Sequence, residues 1–339
     1  MAAKANELVL FPSWEVECEA WDNADGQNCR AICPLPHSQL DNILVSREEV
    51  ERYDKISCRD RFEEIKHLLS TEEAWILTAL LHITGGSMVN SSLWDMIRSQ
   101  ALMSYDPPNF APIWTTFKLR QGQSALAGAM FQDAGDNGLQ YVFQTPVKSI
   151  VERSNVVTVT THAGREFRAR RVVSTIPHNV LHTITFDPPL SPTRQEAITM
   201  GHINYMTKIH ADGDGVTPSG RAHIVGFGKD ERATFVPERN PEKAVDAFQK
   251  LHPMEVNKMI FHNWNTDPWS LGGPAWWPPE FMTKYQEELQ SRHGRVFFAS
   301  ADWAHGWQAA IDGALEQGSQ AALQVVKEIR EMRGVMARF

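Results

Sequence analysis

The sequence VFFASADW occupies residues 296–303, and AHGW at 304–307 leads from it into a helix-like run over residues 308–325. An apolar run closed by Asp302 predicts a buried strand whose carboxyl end presents a carboxylate to a ligand. Small residues at helical spacing between Ile311 and Ala322 permit close approach to another element or to a cofactor. The pattern is typical of a site for a cofactor with anionic or electron-rich oxygens, although ordinary helix packing also produces it.

Composition narrows the class of protein. The 339 residues are 42% hydrophobic and carry a formal net charge of -8, so the chain can bury one large core or two smaller ones. The absence of Lys/Arg clusters argues against a nucleic-acid partner. No apolar run approaches the length of a membrane span, and residues 1–8 lack a secretory hydrophobic region, so we expect a soluble, intracellular protein.

Neither the cysteines nor the histidines form a metal-binding pattern. The spacing of the cysteines is unlike that of a zinc site, which favours reduced thiols at Cys18, Cys29, Cys33 and Cys58. His178 and His182 are four apart, but no Glu lies between them and no third ligand is near. We predict polar loop or helix-face histidines and no metal site.

The first third of the chain beyond residue 37 has a helical pattern. From about residue 40 to 97, apolar residues recur at helical spacing, and Ser70-Thr71-Glu72-Glu73 predicts a cap and an acidic first turn for one helix. The next segment predicts strands. A strand-like approach turns at Gly122 into a helix, and alternating residues at 142–143, 146–150, 156–161 and 167–177, with a turn at 162–165, predict a small β-meander leading into a buried strand.

Lys208 lies in an otherwise apolar or β-branched strand pattern. Lysine at such a position is unusual unless its ammonium reaches the surface or a polar cavity, and the surface is the simpler interpretation. The following residues, 213–218, indicate a turn. A strand at 222–227, a helix at 241–251 and an apolar run at 258–264 come next. Residues 269–279 are dense in Trp, Gly and Pro, which suits either an aromatic wall for a flat ring or an amine, or a core loop.

One common cofactor-binding element is absent. Proteins that bind a dinucleotide through a βαβ fold normally carry a G-x-G-x-x-G turn between a strand and a helix, because only glycine lets the backbone reach the pyrophosphate. The sequence contains no such pattern.

The motifs at 302–318, in their order Asp-Trp, Gly-Trp, Ile-Asp-Gly-Ala and Glu-Gln-Gly, resemble the C-terminal signature of the flavin monoamine oxidase family, and of its fungal members in particular. The resemblance covers about residues 22–326. It implies a mixed α/β fold, the remnant of a two-domain FAD-dependent amine oxidase. An incomplete Rossmann-like FAD domain would comprise 115–198 and 268–330, and a helix/sheet substrate domain 38–114 and 199–267. Residues 1–37 would form an irregular arm and 331–339 a tail.

The resemblance also implies roles for individual residues. It assigns cofactor contacts to Val147, Trp269, Asp302 and Ile311, with Asp302 on the ribityl chain. Lys208 matches the catalytic lysine that holds a water beside flavin N5. Substrate contacts fall to Trp276, Trp307 and Ala310, the last in place of an aromatic residue. Pro274 or Ala275 stands where some relatives have a flavin-linking cysteine, so FAD would be bound without a covalent link.

The function implied is oxidation of an amine to an imine, with electrons passing to FAD and then to O2 to give H2O2, in fungal secondary metabolism. A flavin-free, catalytically altered protein is the alternative, acting as a non-redox enzyme or as the partner of a complete relative. A truncated product that folds poorly is a third. An incomplete domain exposes a sheet edge and an apolar face, which favours a homo- or hetero-oligomer.

The ending Ala337-Arg338-Phe339 loosely resembles a peroxisomal signal, so the expected location is cytoplasmic or peroxisomal.

Overall fold

The computed structural model describes residues 20–33, 45–85, 88–106, 109, 112–113, 119–215, 220–229, 238–251 and 254–336. The ending Ala337-Arg338-Phe339 and Cys18 lie outside these ranges. In the described part of the chain, no helix is both long and apolar enough to cross a membrane.

Between residues 45 and 97 the described chain forms a series of helices, as the sequence predicts: α1 (Arg47–Asp54), α2 (Cys58–Ile65), α3 (Thr71–Gly85) and α4 (Leu93–Ile97). Side chains at their starts satisfy backbone N–H groups that have no partner within the helix. The predicted cap of α3 is confirmed, because Ser70 Oγ accepts from Glu73 N at 3.2 Å and Glu73 Oε2 accepts from Ser70 N at 2.6 Å. Ser57 and Asp60 form the same reciprocal box at α2.

The predicted meander forms a four-stranded sheet. Its strands are β1 (Val147–Arg153), β2 (Val156–Thr161), β3 (Glu166–Ala169) and β5 (Thr185–Asp187), in the order β3-β2-β1-β5. The hairpin turn predicted at 162–165 joins β2 to β3. The strand predicted at 142–143 is wrong, since residues 137–146 form turns and exposed irregular structure that follow helix α5 (Gln123–Asp136).

A separate two-stranded parallel sheet joins distant parts of the chain. β4 (Val172–Ser174) pairs with β9 (Val296–Phe298), residue for residue from Val172 opposite Val296 to Ser174 opposite Phe298. All three residues of β9 are buried. The sequence prediction of a buried strand before Asp302 is therefore confirmed. Between these strands the chain forms helix α6 (Pro192–Met200), and α8 (Phe281–Gln290) precedes β9.

The third sheet is antiparallel, with the order β7-β6-β8. Its strands are β6 (Met206–Gly215), β7 (Arg221–Lys229) and β8 (Met254–Phe261). Helix α7 (Pro241–Leu251) covers one face, where Ala244 and Phe248 pack on Ile209 and Ala211. Because successive side chains of a strand point to opposite faces, Lys208, His210 and Asp212 all lie on the face that α7 does not cover.

The turn predicted at 213–218 is wrong for its first three residues, which continue β6. Gly213 pairs with Ala222 on one side and Val256 on the other, and the pairing with β8 is irregular between Asp212 and Gly213. A Cβ on Gly213 would lie 1.9 Å from the carbonyl oxygen of Glu255. Glycine here allows close approach of two strands, which explains why a turn-forming residue occurs inside a strand.

The main core draws on the N-terminal helices, the meander sheet with the segment that follows it, and residues 275–303. Cys29, Ile32 and Cys33, within the segment predicted as an irregular arm, are fully buried with Leu93 of α4. Cys29, Cys33 and Cys58 are free thiols. The last helix, α9 (Ile311–Met336), includes residues 331–336, which the sequence analysis assigns to a tail.

Several apolar side chains remain uncovered. Helix α5 has no buried residue, and Phe131 on it forms an exposed aromatic cluster with Tyr141 and Phe143, with ring centroids 4.7 to 5.7 Å apart. Leu323 on α9 is exposed as well. An exposed apolar face is what the sequence analysis expects of this chain.

One carboxyl group of the core makes stability depend on pH. Burial raises the pKa of Asp22 to about 7, against the opposing effects of a Gln100 hydrogen bond and the Arg61 charge. The folded state therefore holds a proton that the unfolded state releases near pH 4, and the stabilisation present at low pH is lost as the pH rises towards 7. The parent protein should lose this stabilisation between pH 5 and pH 8, whereas Asp22→Asn should not. We therefore expect the free energy of unfolding of the variant, relative to that of the parent, to rise by about 2 kcal/mol between these pH values. Urea unfolding at both pH values measures this, and a pH-independent difference would contradict it.

Candidate functional site

The carboxyl ends of β4 and β9 meet at one place, because the two strands are parallel. A 3-10 helix, His178–Thr183, follows β4, and a 3-10 turn, Ala301–Trp303, follows β9. Asp302 joins them, since its Oδ2 accepts from the backbone N of His178 at 3.0 Å. In open α/β sheets, ligands bind beyond the carboxyl ends of parallel strands. The structure thus places the predicted Asp302 in a position suited to a ligand.

Asp302 is only partly exposed. Burial raises its pKa, and the hydrogen bonds from His178 N and with Ser300 act in the opposite direction. The backbone around it is also held, because Trp277 Nε1 donates to the carbonyl oxygen of Asp302 at 3.1 Å. A carboxylate held in this way can accept hydrogen bonds from a ligand without having to reorient.

An aromatic cluster lies behind the strand ends. Trp277 stacks on Phe281 with ring centroids 4.1 Å apart and planes within 5°. His178 meets Trp277 edge to face at 5.0 Å and also lies near Trp303. Burial lowers the pKa of His178 to about 4, so its ring is neutral at pH 7. Its Nε2 donates to the carbonyl of Ala197 at 2.9 Å, which leaves Nδ1 as the acceptor nitrogen.

Three polar atoms around this cluster lack a hydrogen-bond partner within the described residues. They are Ser174 Oγ, His178 Nδ1 and Trp303 Nε1, all buried. Buried polar groups in proteins are nearly always paired, so each such group needs an explanation. A hydroxyl, an acceptor nitrogen and an indole N–H near the strand ends thus have hydrogen-bonding capacity that the described residues do not use.

The loop between Trp303 and α9 is held close to the helix that follows it. Ala309 N donates to the carbonyl of Ala301 at 2.9 Å, and Glu316 on α9 accepts from the backbone N of Gly306 at 3.3 Å. A Cβ on Gly313 would lie 2.1 Å from the carbonyl oxygen of Trp307. The close approach predicted from the small residues of α9 is therefore confirmed at Gly313, where the neighbour is the protein's own loop.

The predicted aromatic segment 269–279 contacts this loop. Gln308 Nε2 donates to the carbonyl of Ala275 at 3.3 Å and to Asp95 Oδ1 at 3.2 Å, while Asp95 Oδ2 accepts from Trp277 N at 2.9 Å. Burial raises the pKa of Asp95 to about 6, although Arg98 and these donors oppose the shift. Trp276 and Trp307, the predicted substrate walls, are half-buried, as is Ala310. Gln308 thus connects the two segments that carry them.

The remaining predicted residues lie on other elements or on the surface. Ile311 is exposed at the start of α9, and Trp269 is exposed on its loop. Val147 begins β1 and packs against the main core. Lys208 is exposed on the open face of β6, with Nζ 5.5 Å from the ring centroid of Phe227, as the surface interpretation predicts.

The strand that carries Lys208 is nevertheless tied to the aromatic segment. Asn204 Nδ2, just before β6, donates to the carbonyl of Pro274 at 2.8 Å, and Ile203 N donates to the carbonyl of Trp276 at 2.9 Å. A series of hydrogen bonds therefore runs from the base of β6 through residues 274–276 and Gln308 to the loop before α9.

Sequence reasoning missed His178, Trp277 and Gln308 as parts of this region. It predicted a polar loop or helix-face histidine at His178, which is wrong, because the side chain is fully buried against Trp277 and its backbone N–H donates to Asp302. Its position at the exit of a buried strand was an available signal.

Among the described residues, no group of three or more His, Cys, Asp or Glu side chains could hold a metal ion.

A sequence model described as "Flavin containing amine oxidoreductase" matches residues 46–217 and 211–326. The chain is 29% identical over 337 residues to pseudooxynicotine dehydrogenase of a Pseudomonas species, covering 88% of this chain and 65% of that protein. It is 26% identical over 316 residues to nicotine dehydrogenase of Pseudomonas putida, covering 87% and 63% respectively. The chain thus spans less than two thirds of the length of these relatives.

Solved structures show the same fold. Cyclohexylamine oxidase from Brevibacterium oxydans superposes with a TM-score of 0.73 at 18% identity, covering 96% of this chain and 77% of that one. Putrescine oxidase bound to putrescine gives a TM-score of 0.74 at 17% identity, covering 94% and 77%. The mixed α/β architecture predicted from the sequence is that of FAD-dependent amine oxidases.

Proposed function

This chain belongs to the family of flavin-containing amine oxidoreductases, and on that premise we propose that it binds FAD without a covalent link and oxidises an amine to an imine. FAD, when bound, would supply the two-electron acceptor: the carbon beside the amine nitrogen would lose a hydride equivalent, the nitrogen would lose a proton, and O2 would finally take up two electrons and two protons to give H2O2. The observation that carries the proposal is the Asp302–His178 hydrogen bond across the carboxyl ends of the parallel strands. It fixes a carboxylate where this fold binds ligands.

The residues present suit different parts of the cofactor. Asp302 would accept hydrogen bonds from the ribityl hydroxyls, and the backbone at Ile311 and the side chain of Trp269 would flank the ring. Val147 would lie on the adenine side. Helix α9 begins at Ile311, and its first N–H groups and dipole favour electron-rich oxygens nearby.

The two segments that Gln308 connects, the aromatic segment 269–279 and the loop before α9, would bind the substrate. Trp276 and Trp307 would supply apolar and cation–π contacts to an amine. Ala310 leaves more space than an aromatic residue would, so we propose that bulkier amines are accommodated. Nicotine-like amines, cyclohexylamine and putrescine, which the names of the relatives mention, are the first compounds to assay.

The sequence analysis also leaves a flavin-free protein as the alternative, which the family match does not favour. The sequence has no G-x-G-x-x-G turn, so the usual backbone cradle for the two phosphates of FAD is not encoded in it. Under this alternative the chain would act without redox chemistry, or as the partner of a complete relative. A second copy or a partner would then cover the exposed cluster of Phe131, Tyr141 and Phe143.

Visible spectroscopy separates the two candidates. The purified chain is titrated with FAD, and the absorbance of protein-bound flavin is read after removal of free FAD. We expect a saturable flavin spectrum, bleached by a substrate amine under anaerobic conditions. Peroxide formation and reduction of an artificial dye are then followed with the amines above. A folded, monodisperse protein that stays colourless at saturating FAD would reject the flavin-dependent proposal.

Lys208 offers a specific test of the proposed catalytic role. We expect Lys208→Met to retain bound FAD but to lower amine turnover at least about tenfold, because a positioned proton-handling group contributes that much or more. Lys258→Met is the matched control. Lys258 is exposed on the same face of the sheet, opposite Asp212 on the neighbouring strand, and its removal should leave turnover unchanged. Equal turnover in the two variants would show that Lys208 has no such role.

A further inference from the structure

Two histidines and an aspartate meet on the open face of the β7-β6-β8 sheet. His210 Nδ1 on β6 and His223 Nε2 on β7 are 3.2 Å apart. Asp212 Oδ1 is hydrogen-bonded to His223 Nδ1, and the strand register places these two residues directly opposite each other. His210 lies two residues before Asp212 on the same strand, so both point to the same face. The sheet itself therefore holds the three side chains in place.

The hydrogen bonds determine which nitrogens are available. A carboxylate is an acceptor, so His223 donates its Nδ1–H to Asp212. In the neutral ring the lone pair of His223 is then on Nε2, directed towards His210. At most one proton fits between His210 Nδ1 and His223 Nε2. When that proton is absent, the lone pairs of both nitrogens face the space between the two rings. This arrangement can exchange a proton for a metal cation.

The nitrogen separation suits a chelated transition metal. Metal–nitrogen bonds to His are about 2.0–2.1 Å long. Two such ligands lie about 2.8 Å apart at a square-planar angle and about 3.3 Å apart at a tetrahedral angle. The observed 3.2 Å lies between these values, so only reorientation of the rings is needed.

The surroundings provide an outer partner and room for further ligands. A carboxylate on the second nitrogen of a metal-bound His fixes its tautomer and raises its basicity, and Asp212 is placed to do this for His223. A cavity of about 550 Å³ adjoins His223 and is also lined by Asp212, Asp214 and Asn257. Lys208 and Lys258 on the same face oppose the binding of a cation, and the two aspartates offset them. Water molecules in the cavity could complete the coordination.

We propose that His210 and His223 form a two-ligand surface site for a divalent transition metal, with Asp212 as the outer partner of His223. Imidazole ligands suit Cu²⁺, Ni²⁺ and Zn²⁺, and the Irving–Williams order makes Cu²⁺ the tightest of these. Because no third His, Cys, Asp or Glu of the described residues converges on the same point, the protein leaves several coordination positions open. None of these three residues is among those proposed above to contact the flavin or the amine.

Electron paramagnetic resonance with Cu²⁺ on the untagged chain tests the proposal. We expect one equivalent of Cu²⁺ to show coupling to two imidazole nitrogens. His210→Ala and His223→Ala should each remove the two-nitrogen signal and weaken Cu²⁺ binding at least about tenfold. Loss of an outer partner typically costs 10–100-fold in metal affinity, so Asp212→Asn should also weaken binding. Ni²⁺ and Zn²⁺ should compete for the same site.

His262 provides the matched control. It is exposed and bonded to a carboxylate, Asp267 Oδ2 at 2.7 Å, and the nearest ring to it among the described contacts is Trp264, not a second imidazole. His262→Ala should leave the two-nitrogen signal and the affinity within twofold of the parent. His210→Gln and His223→Gln, checked by circular dichroism without metal, exclude unfolding as the cause of a loss. A parent protein without the two-nitrogen signal, or a signal that survives both alanine variants, would overturn the proposal.

Discussion

Replacing Trp277 with Ala should lower the free energy of unfolding by about 3–5 kcal/mol, the usual cost of removing a fully buried aromatic side chain. The side chain of Trp277 has 0% exposure, stacks on Phe281 and donates its indole N–H to the carbonyl of Asp302. Its removal leaves a cavity beside His178 and an unpaired carbonyl behind the proposed ligand site. Chemical denaturation followed by circular dichroism measures the change.

Trp269 is the control for this substitution. It lies on the same aromatic segment but is 59% exposed. Trp269→Ala should leave the unfolding midpoint almost unchanged, since most of its apolar surface already contacts water. Equal destabilisation by the two substitutions would show that Trp277 is not in the core position described. The two variants also distinguish a structural role from a role in cofactor binding. Loss of FAD affinity in a Trp269 variant that remains stable would support the proposed contact of Trp269 with the flavin.

Arg194 should be almost as important for stability. Its side chain is 1% exposed, and Nη2 donates to the carbonyl of Ser291 at 2.8 Å, while Nε lies 3.4 Å from Glu288 Oε1. The guanidinium carbon lies 4.0 Å from the ring centroid of Phe298 on β9. Arg194→Met keeps most of the volume but leaves buried acceptors without a donor, so we expect a loss of about 3 kcal/mol.

The same pair of helices supplies an exposed ion pair for comparison. Lys284 on α8 and Glu196 on α6 are 2.7 Å apart, and both side chains are more than half exposed. Exposed ion pairs contribute little to stability, so Lys284→Met should leave the unfolding midpoint close to that of the parent. If the free energy of unfolding fell strongly in the Lys284 variant and not in the Arg194 variant, the exposed ion pair and not the buried arginine would hold α6 to α8.

Local sequence patterns identified most helices and strands correctly. The cap at Ser70, the hairpin turn at 162–165, the helix at 241–251 and the buried strand before Asp302 each depend on neighbouring residues, and all are present. The turn predicted at 213–218 was wrong because distant parts of the chain decide the structure there. Gly213 resembles a turn residue, but it lies in a central strand because two neighbours pair with it.

The metal-site proposal illustrates the same limit. His210 and His223 are 13 positions apart and match no ligand spacing, so the sequence analysis did not consider them together. The pairing of β6 with β7 brings their nitrogens into contact. Conversely, His178 and His182 have a spacing that suits a metal, yet one is buried against Trp277 and the other is exposed.

The sequence by itself determined the family, the order of the elements and the carboxylate at the end of the last strand, because ordered motifs and short-range periodicity are properties of consecutive residues. The tertiary structure decided how the site is assembled. His178 and Asp302 are 124 positions apart and meet only because β4 and β9 pair in parallel. Such pairing depends on the burial of apolar surface from many segments at once, and no local pattern encodes it.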